Sequence, residues 1–160
     1  MKLIMAIVRP FKLDDLVVVD GQLGIVKDIE LFTTELATLD NRKIIVPNEK
    51  IFGSTIENLT HYPIRRVDVP VGVEYGADID KTRGALEKSA GTVPGVLTDP
   101  PFQIFLADLG DSSVNWQVRV WCNTADYWDV HQATVRAAKA GLESAGLTIP
   151  FPQLDVHLDK

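Results

Sequence analysis

The chain has 160 residues, of which 46% are hydrophobic and 24% are charged, and its formal net charge is −6. These are ordinary globular values, so they exclude a disordered or fibrous protein. The acidic balance excludes a general nucleic-acid binder, which needs a basic surface to displace counterions from phosphates. The one cysteine, Cys122, excludes an internal disulfide or a cysteine-rich zinc site and indicates a cytoplasmic setting.

The first 63 residues carry the signals of short strands joined by tight turns. A β-branched run over 16–20 leads into Asp20-Gly21, a strong hairpin signal. Further strands are predicted over residues 24–32, 33–39 and 43–46, and Asn48 is expected to cap a helical turn that follows them. Several short strands of this kind predict a small barrel or curled sheet.

The pattern changes after Pro63, and residues 57–64 are predicted to be the linker between two domains. The elements that follow are a strand, a helix, two strands, a helix and a final strand. They are predicted over residues 65–75, 78–90, 102–109, 114–122, 127–145 and 149–158. This β-α-β-β-α-β order is ferredoxin-like, so the whole chain is predicted to be α+β. The last helix is expected to bury a stripe that includes Trp128, His131 and Val135.

Residues capable of catalysis are present but do not form a convincing site. Cys122 and His131 could form a thiolate–imidazole pair, but an apolar strand favours a cysteine that only packs. The three histidines, His61, His131 and His157, lack metal-ligand spacing. The paired aspartates lie at turns and helix starts, where capping favours them. We therefore predict no catalytic residue, no metal and no cofactor, and favour an assembly or binding module over an enzyme.

Four segments, in chain order, carry a family resemblance. They are an Arg-Pro-Phe-x-x-Gly-Asp pattern, a Gly-x-x-Gly-x-Val hairpin, an Ile-x-Ile-Pro-Asn motif and the run Gly-Leu-Thr-Ile-Pro-Phe-Pro-Gln. The residues that carry the first three are Arg9, Pro10, Phe11, Gly21, Gly24, Pro47 and Asn48. Together the segments resemble the cytoplasmic region of the MscS family of small-conductance mechanosensitive channels. Asp14 stands where the family pattern has Gly.

The resemblance implies a division of the chain into four parts. Residues 1–8 would be the end of the pore helix, and residues 9–63 an Sm-like β domain. Residues 64–148 would form a ferredoxin-like α/β domain, and residues 149–160 a strand of an axial β-barrel. The family's membrane-spanning helices have no counterpart in the sequence, in which the apolar run 3–8 is far short of the ~20 residues that a bilayer demands.

The resemblance also implies a function. Seven copies are expected to form a hollow cage at the cytoplasmic face of the inner membrane, with side portals that pass ions and small solutes. Arg65 and Arg66 would lie near a portal, and Gln153, Asp155 and His157 would face the axial barrel. A ring of Asp155 carboxylates would repel one another or recruit a cation. The partners are then other copies of the chain, ions and solutes, and the membrane is reached only through helices outside this sequence.

A second resemblance leaves an alternative open. Residues 1–15 are also similar to the first strand of PII nitrogen-signalling proteins, which have a ferredoxin-like fold. On that interpretation the chain is a standalone oligomeric module that binds a small molecule or a nucleotide. The chain alone is expected to be soluble and cytoplasmic, either as part of a longer channel or as a product of a gene without the membrane part.

Overall fold

A computed structural model of the chain describes residues 10–157, and the chain divides into two compact units between Pro63 and Ile64. The described residues are α+β, with antiparallel strand pairing in both sheets. No helix among residues 10–157 combines the length and the apolar character needed to cross a bilayer.

Unit 1, which extends to Pro63, is built around one twisted sheet. Its elements are β1 (Leu16–Val19), β2 (Gln22–Ile29), β3 (Thr33–Ala37), β4 (Lys43–Pro47), helix α1 (Asn48–Gly53) and β5 (Ile56–Asn58). The strand order is β4-β3-β2-β1-β5. Alternation along the strands sends one set of side chains into the core. The core consists of Phe11, Val17, Val19, Val26, Leu36, Val46 and Ile51.

The first turn of unit 1 confirms the hairpin prediction. Val19 pairs with Gln22, which leaves Asp20 and Gly21 as the two central residues of the turn. Both have positive φ, at 49° and 73°. A two-residue turn with positive φ at both positions matches the right-handed twist of the strands that it joins, and Asp-Gly accommodates it well.

Within the described residues the sheet of unit 1 is open, with β4 and β5 as its two edges, so it takes the open form of the two that were predicted. One expectation for unit 1 differs from the structure. The start of the predicted linker is instead strand β5, in which Glu57 pairs with Val18 of β1. A three-residue strand is too short to show a period in the sequence.

Unit 2, from Ile64 onward, is a layer of two helices on a three-stranded sheet. Its elements are β6 (Ile64–Val73), α2 (Ile79–Ala90), β7 (Gln103–Leu109), β8 (Val114–Asn123), a 3-10 turn (Thr124–Asp126) and α3 (Tyr127–Ser144). The strand order is β6-β8-β7. Alternate residues of β8, from Val114 to Cys122, are buried in the same core as Leu86 of α2 and Leu142 of α3.

The predicted stripe of α3 was wrong in its first half. The buried residues are Val130, Thr134, Ala138 and Leu142, whereas Trp128 is 58% exposed. Two residues along a helix correspond to about 200°, so Trp128 and Val130 lie on nearly opposite sides. Tryptophan is large and apolar, so its burial was expected. The buried side of α3 is the one that faces the sheet, and Trp128 does not lie on that side.

The predicted final strand of unit 2 is not formed. Residues 147–157 lie in neither a helix nor a strand, so five of the six predicted elements are present. Pro150 and Pro152 lack the N–H groups that a sheet requires. The rest of the predicted strand, from residue 158, lies outside the described residues.

Candidate functional site

The first signature segment anchors the start of unit 1. Phe11 is 5% exposed and belongs to the core. The carbonyl of Pro10 accepts a hydrogen bond from Nδ2 of Asn58, at 3.4 Å. Pro10 and Phe11 therefore tie the incoming chain to strand β5. Arg9, the third residue of this segment, lies outside the described residues, as does the run 1–8 that we expected to be the end of a pore helix.

The two signature glycines are needed for different reasons. Gly21 has a φ of +73° at the hairpin turn, where a side chain would be strained. At Gly24 the reason is space, because an added Cβ would lie 2.9 Å from the Cβ of Leu36 and 3.1 Å from the carbonyl oxygen of Ala37. Glycine at residue 24 thus lets β2 and β3 approach closely.

Asn48 stabilises the turn between β2 and β3 and does not cap helix α1, which corrects our expectation. Pro47 occupies the cap position, and α1 has no side-chain cap. The fully buried Asn48 side chain accepts a hydrogen bond from the hydroxyl of Thr34 at 2.8 Å. Its Nδ2 donates to the carbonyls of Glu30 and Leu31, at 3.0 and 3.3 Å. The Pro-Asn signature therefore holds the β2–β3 connection against the end of β4.

Asp14 and Asp15 form a second structural centre, at the start of unit 1. The Asp15 carboxylate accepts hydrogen bonds from the backbone N–H of Lys12, from Nδ2 of Asn58 and from the hydroxyl of Thr60, at 3.0, 2.9 and 3.2 Å. Asp14 has a φ of +66°, which explains why glycine suits that position in the family pattern.

The pKa of Asp15 is shifted by opposing effects. Burial of the side chain raises it, but the hydrogen bonds from Lys12, Asn58 and Thr60 outweigh burial, and the pKa lies below the usual value. Hydrogen bonds of this kind stabilise the charged form. Asp15 is therefore a charged structural group that joins the start of unit 1 to the end of β5.

Arg65 and Arg66 are neighbours on β6 with different surroundings. The guanidinium of Arg66 donates to both carboxylate oxygens of Asp68, at 2.7 and 2.8 Å. The Arg65 guanidinium lies 3.9 Å from the centre of the Tyr127 ring and forms no salt bridge with any described residue. Arg66 is thus held in a salt bridge with a carboxylate, whereas Arg65 instead stacks on an aromatic ring.

The side chains that might have supported catalysis do not meet. Cys122 is fully buried, and burial raises the pKa of its thiol, with a further increase from Asp126 that Arg65 partly opposes. A buried thiol of raised pKa is a poor nucleophile. His131 lies among aromatic rings, with its own ring centre 6.2 Å from that of Trp128. Among residues 10–157, no group of three or more His, Cys, Asp or Glu residues could hold a metal ion.

The residues proposed for an axial barrel lie on an exposed segment after α3. The backbone N–H of Gln153 donates to the hydroxyl of Ser112 at 3.1 Å, which holds the start of the segment against the β7–β8 turn. Asp155 and His157 are exposed. The apolar side chains of Leu154 and Val156 are 85% and 66% exposed. Polar and apolar residues alternate here as predicted, but no strand among the described residues pairs with this segment.

Two family models match the chain, one on each unit. The model for the mechanosensitive ion channel β-domain matches residues 3–61, and the model for the C-terminal region of the mechanosensitive ion channel MscS matches residues 67–149. The matched regions follow one another along the chain. They define the class of protein as one with the β and C-terminal domains of a mechanosensitive ion channel.

Individual relatives agree with the family models. A small-conductance mechanosensitive channel of Edwardsiella ictaluri is 40% identical over 155 residues, which cover 97% of this chain and 54% of the relative. The closed-state crystal structure of Helicobacter pylori MscS superimposes with a TM-score of 0.92 at 30% identity and covers 99% of this chain and 63% of that one. Arabidopsis thaliana MSL1, at 17% identity and a TM-score of 0.76, shares the fold.

The chain belongs to the MscS family. It spans about half the length of the curated relatives that it matches. The β-domain model begins at residue 3, so it includes most of the stretch that is similar to PII proteins.

Proposed function

We propose that this chain forms the wall of a hollow cytoplasmic cage in a mechanosensitive channel, as one of several identical copies in a ring. The observation that carries the proposal is the superposition on H. pylori MscS, because it includes both units and nearly the whole chain. The Edwardsiella relative is a small-conductance mechanosensitive channel, which supports a role in passing ions rather than in catalysis.

Two features of the chain support assembly. Among residues 10–157, the sheet of unit 1 ends in two edge strands, β4 and β5, and edge strands without partners favour pairing with another chain. The segment after α3 exposes Leu154 and Val156, which a ring of such segments would cover. We propose seven copies, as the family resemblance implies, with residues 153–157 contributing to an axial barrel.

Portals and the axial barrel are proposed to control what passes. Near a portal, Arg65 would supply the local positive charge, because Arg66 is already paired with Asp68. In the axial barrel, Asp155 side chains from all copies would repel one another, and a cation on the axis would relieve that repulsion. The cage would thus present cationic groups at its sides and anionic groups at its base.

The first experiment measures the mass of this chain in solution by light scattering on a gel-filtration peak. A ring of seven gives about 124 kDa, seven times 17.7 kDa. A mass of 17.7 kDa would show that these residues do not assemble by themselves. A trimer of about 53 kDa, three times 17.7 kDa, would favour the PII-like alternative and would call for nucleotide-binding measurements.

The second experiment tests channel function directly. Residues 3–157 replace the matching half of the Edwardsiella channel, and the hybrid is expressed in cells that lack their own mechanosensitive channels. We expect survival of hypo-osmotic shock and tension-activated currents in patches. A hybrid that reaches the membrane and assembles but carries no current would contradict the proposal.

A further inference from the structure

The sheet of unit 2 has a second face, on the side away from α2 and α3. Alternate residues of β8, from Val114 to Cys122, are buried in the core, so the residues between them point to the opposite face. We call this side of the sheet the outer face. The outer-face residues within that stretch of β8 are all half-buried, and they are Asn115, Gln117, Arg119 and Trp121.

Arg119 lies on the central strand of the outer face and is held by neutral groups. In the register it lies between Asp68 of β6 and Gln103 of β7. Its Nε and Nη2 both donate to Oε1 of Gln117, at 2.9 and 2.8 Å, and its Nη1 donates to Oε1 of Gln103 at 3.2 Å. The guanidinium carbon lies 3.9 Å from the centre of the Phe105 ring. The guanidinium is therefore fixed in place without a salt bridge to any described residue.

The hydrogen bonds of Arg119 leave a surplus of donors around it. A guanidinium has five N–H bonds and no acceptor, and three of these bonds are used here. Because Arg119 can only donate, Gln103 and Gln117 turn their amide oxygens toward it and their NH2 groups away. Neither NH2 group donates to a described residue. The place where these three side chains meet therefore offers N–H groups in excess of acceptors.

Two carboxylates share the outer face, but each already has a donor. Asp68 is directly opposite Arg119, yet both of its oxygens accept from Arg66. Asp108 accepts from Nδ2 of Asn115 at 2.6 Å. Asn115 lies four residues before Arg119 on β8, roughly 13 Å along the strand. The two arginines and two aspartates balance in charge, so the outer face repels one added negative charge less than two.

A groove beside Gln117 leaves room for the rest of a ligand. Its volume is about 420 Å³, and its lining includes Pro70, Gly72, Ala107 and Gln117. A volume of this size lies within the range of small-molecule sites. Because Gln117 belongs both to the groove and to the group around Arg119, a molecule bound at Arg119 can extend into the groove.

We propose that Arg119, Gln103 and Gln117 bind the carboxylate of a small organic acid. The free N–H bonds of the guanidinium and the two amide NH2 groups donate to the carboxylate oxygens, while Phe105 keeps the guanidinium in its orientation. A planar carboxylate fits a planar guanidinium, and its single charge suits the outer face better than the two charges of phosphate. The site lies within one chain, so it goes beyond the proposed function and does not depend on a ring.

Saturation-transfer difference NMR with sodium acetate tests the site on the full 160-residue chain, because the method detects weak binding to a monomer or to a ring. We expect a saturable acetate signal and a much weaker one from acetamide, which has nearly the same shape without the charge. Sodium phosphate should displace acetate no better than sodium chloride at matched ionic strength. Arg119→Gln should weaken acetate binding about tenfold or more, since a hydrogen bond to a charged group contributes that much.

A second variant and a control make the test specific. Gln117→Glu keeps the shape of the side chain and gives Arg119 a carboxylate of its own chain, so it should abolish acetate binding without reducing stability in urea. Arg136→Gln removes the same charge elsewhere. Arg136 is exposed on α3, forms no salt bridge with a described residue and has no pair of glutamines around it, so acetate binding should stay unchanged.

The pattern across the variants decides the outcome. Loss of binding in Arg119→Gln and in Gln117→Glu, with binding kept in Arg136→Gln, supports the site. A parent chain without a saturable acetate signal overturns it, as does undiminished binding in either site variant. Equal loss in Arg136→Gln would assign the signal to overall charge and would also overturn the site. Acetamide that binds as well as acetate, or phosphate that displaces acetate better than chloride does, overturns the recognition of a carboxylate.

Discussion

The hydroxyl of Thr34 donates a hydrogen bond to Oδ1 of Asn48 at 2.8 Å, and both side chains are fully buried. Asn48 also donates to two carbonyls of the β2–β3 connection. Every strong hydrogen-bonding group of its side chain is thus used inside unit 1. The asparagine of the family signature has a structural reason, since no other residue type presents an acceptor and two donors with this shape.

Asn48→Ala should destabilise unit 1 by about 2–4 kcal/mol, because it leaves the Thr34 hydroxyl and two carbonyls without partners in a buried place. Urea unfolding followed by far-UV circular dichroism measures the loss. Asn123→Ala is the matched control, because Asn123 is exposed and its amide donates a long hydrogen bond, of 3.4 Å, to the carboxylate of Asp126. Its effect should stay within about 0.5 kcal/mol, and equal losses in both variants would contradict the role of Asn48.

Asp14→Gly should stabilise the chain by up to about 1 kcal/mol, because glycine adopts positive φ without the steric cost that an L side chain meets there. The exposed ion pair of Asp14 with Lys27, at 3.2 Å, offsets little of this gain. Asp14→Ala, which keeps a Cβ and lacks the aspartate's local hydrogen bonding, should be destabilising. Urea unfolding distinguishes the two, and a glycine variant no more stable than the alanine variant would rule out backbone strain.

The stability of unit 1 should fall in acid because of Asp15. The folded state lowers the pKa of this carboxyl below its unfolded value of about 3.9. A lowered pKa gives stability that is complete above the unfolded pKa and is lost as the pH falls through the folded pKa. Asp15→Asn should therefore flatten the decline in stability below about pH 4 while reducing stability at neutral pH.

Urea unfolding of the Asp15→Asn variant at a series of pH values measures this slope. Asp14→Asn is the neighbouring control, because residue 14 is exposed and asparagine tolerates positive φ. The control should keep the acid slope of the parent chain. A slope that does not change in the Asp15→Asn variant would assign the acid sensitivity to other carboxyls.

Helices α2 and α3 approach closely at Gly141. A Cβ added there would lie 1.7 Å from Oγ and 3.1 Å from Cβ of Ser89, whose hydroxyl is engaged with the carbonyl of Ala85 at 2.7 Å. Gly141→Ala should thus destabilise unit 2 by about 1–3 kcal/mol through overpacking. All three tryptophans lie in unit 2, so tryptophan fluorescence during urea unfolding reports on the unfolding of unit 2, which contains Gly141.

Gly84 provides the matched control on α2. An added Cβ there meets nothing within 4 Å, so Gly84→Ala should stabilise by about 0.5–1 kcal/mol through the lower entropy of the unfolded chain. The double change Ser89→Ala with Gly141→Ala should recover part of the loss. Similar effects of alanine at residues 84 and 141 would show that helix propensity, and not space, governs both.

Local signals predicted most of the secondary structure. The Asp20-Gly21 turn follows from its residue types. Asp78 is of a residue type that favours helix caps, and it caps α2 by accepting a hydrogen bond from the N–H of Lys81 at 2.7 Å. At the start of α3, by contrast, the Asp126 side chain makes no capping hydrogen bond, because a 3-10 turn precedes the helix. Differences of this kind arise where tertiary packing decides between several acceptable local structures.

The hydrogen bonds made by Asp15 and Asn48 could not be predicted from the sequence, and the reason is physical. Thr60 and Asn58 reach Asp15 from more than 40 residues away, and only the pairing of β5 with β1 brings them together. No period or spacing encodes such a contact. The positive φ of residue 14 could have been inferred from the sequence, because Asp14 stands where the family pattern has glycine.

Arg65 should determine the charge preference of a portal more than Arg66 does. In the hybrid channel, Arg65→Gln removes a positive charge that forms no salt bridge with a described carboxylate, so it should shift the reversal potential in a salt gradient toward cations. Arg65→Lys keeps the charge and should change little. Low ionic strength is needed, because the Debye length is about 8 Å at physiological salt.

The control for Arg65 removes the neighbouring ion pair as a whole. Arg66→Gln alone would expose the charge of Asp68, so Arg66→Gln is combined with Asp68→Asn, which leaves the net charge unchanged. This double variant should keep the parent reversal potential if local net charge governs permeation. A shift in the double variant as large as that of Arg65→Gln would show that side-chain size, and not charge, controls the path, and it would remove Arg65 from the portal.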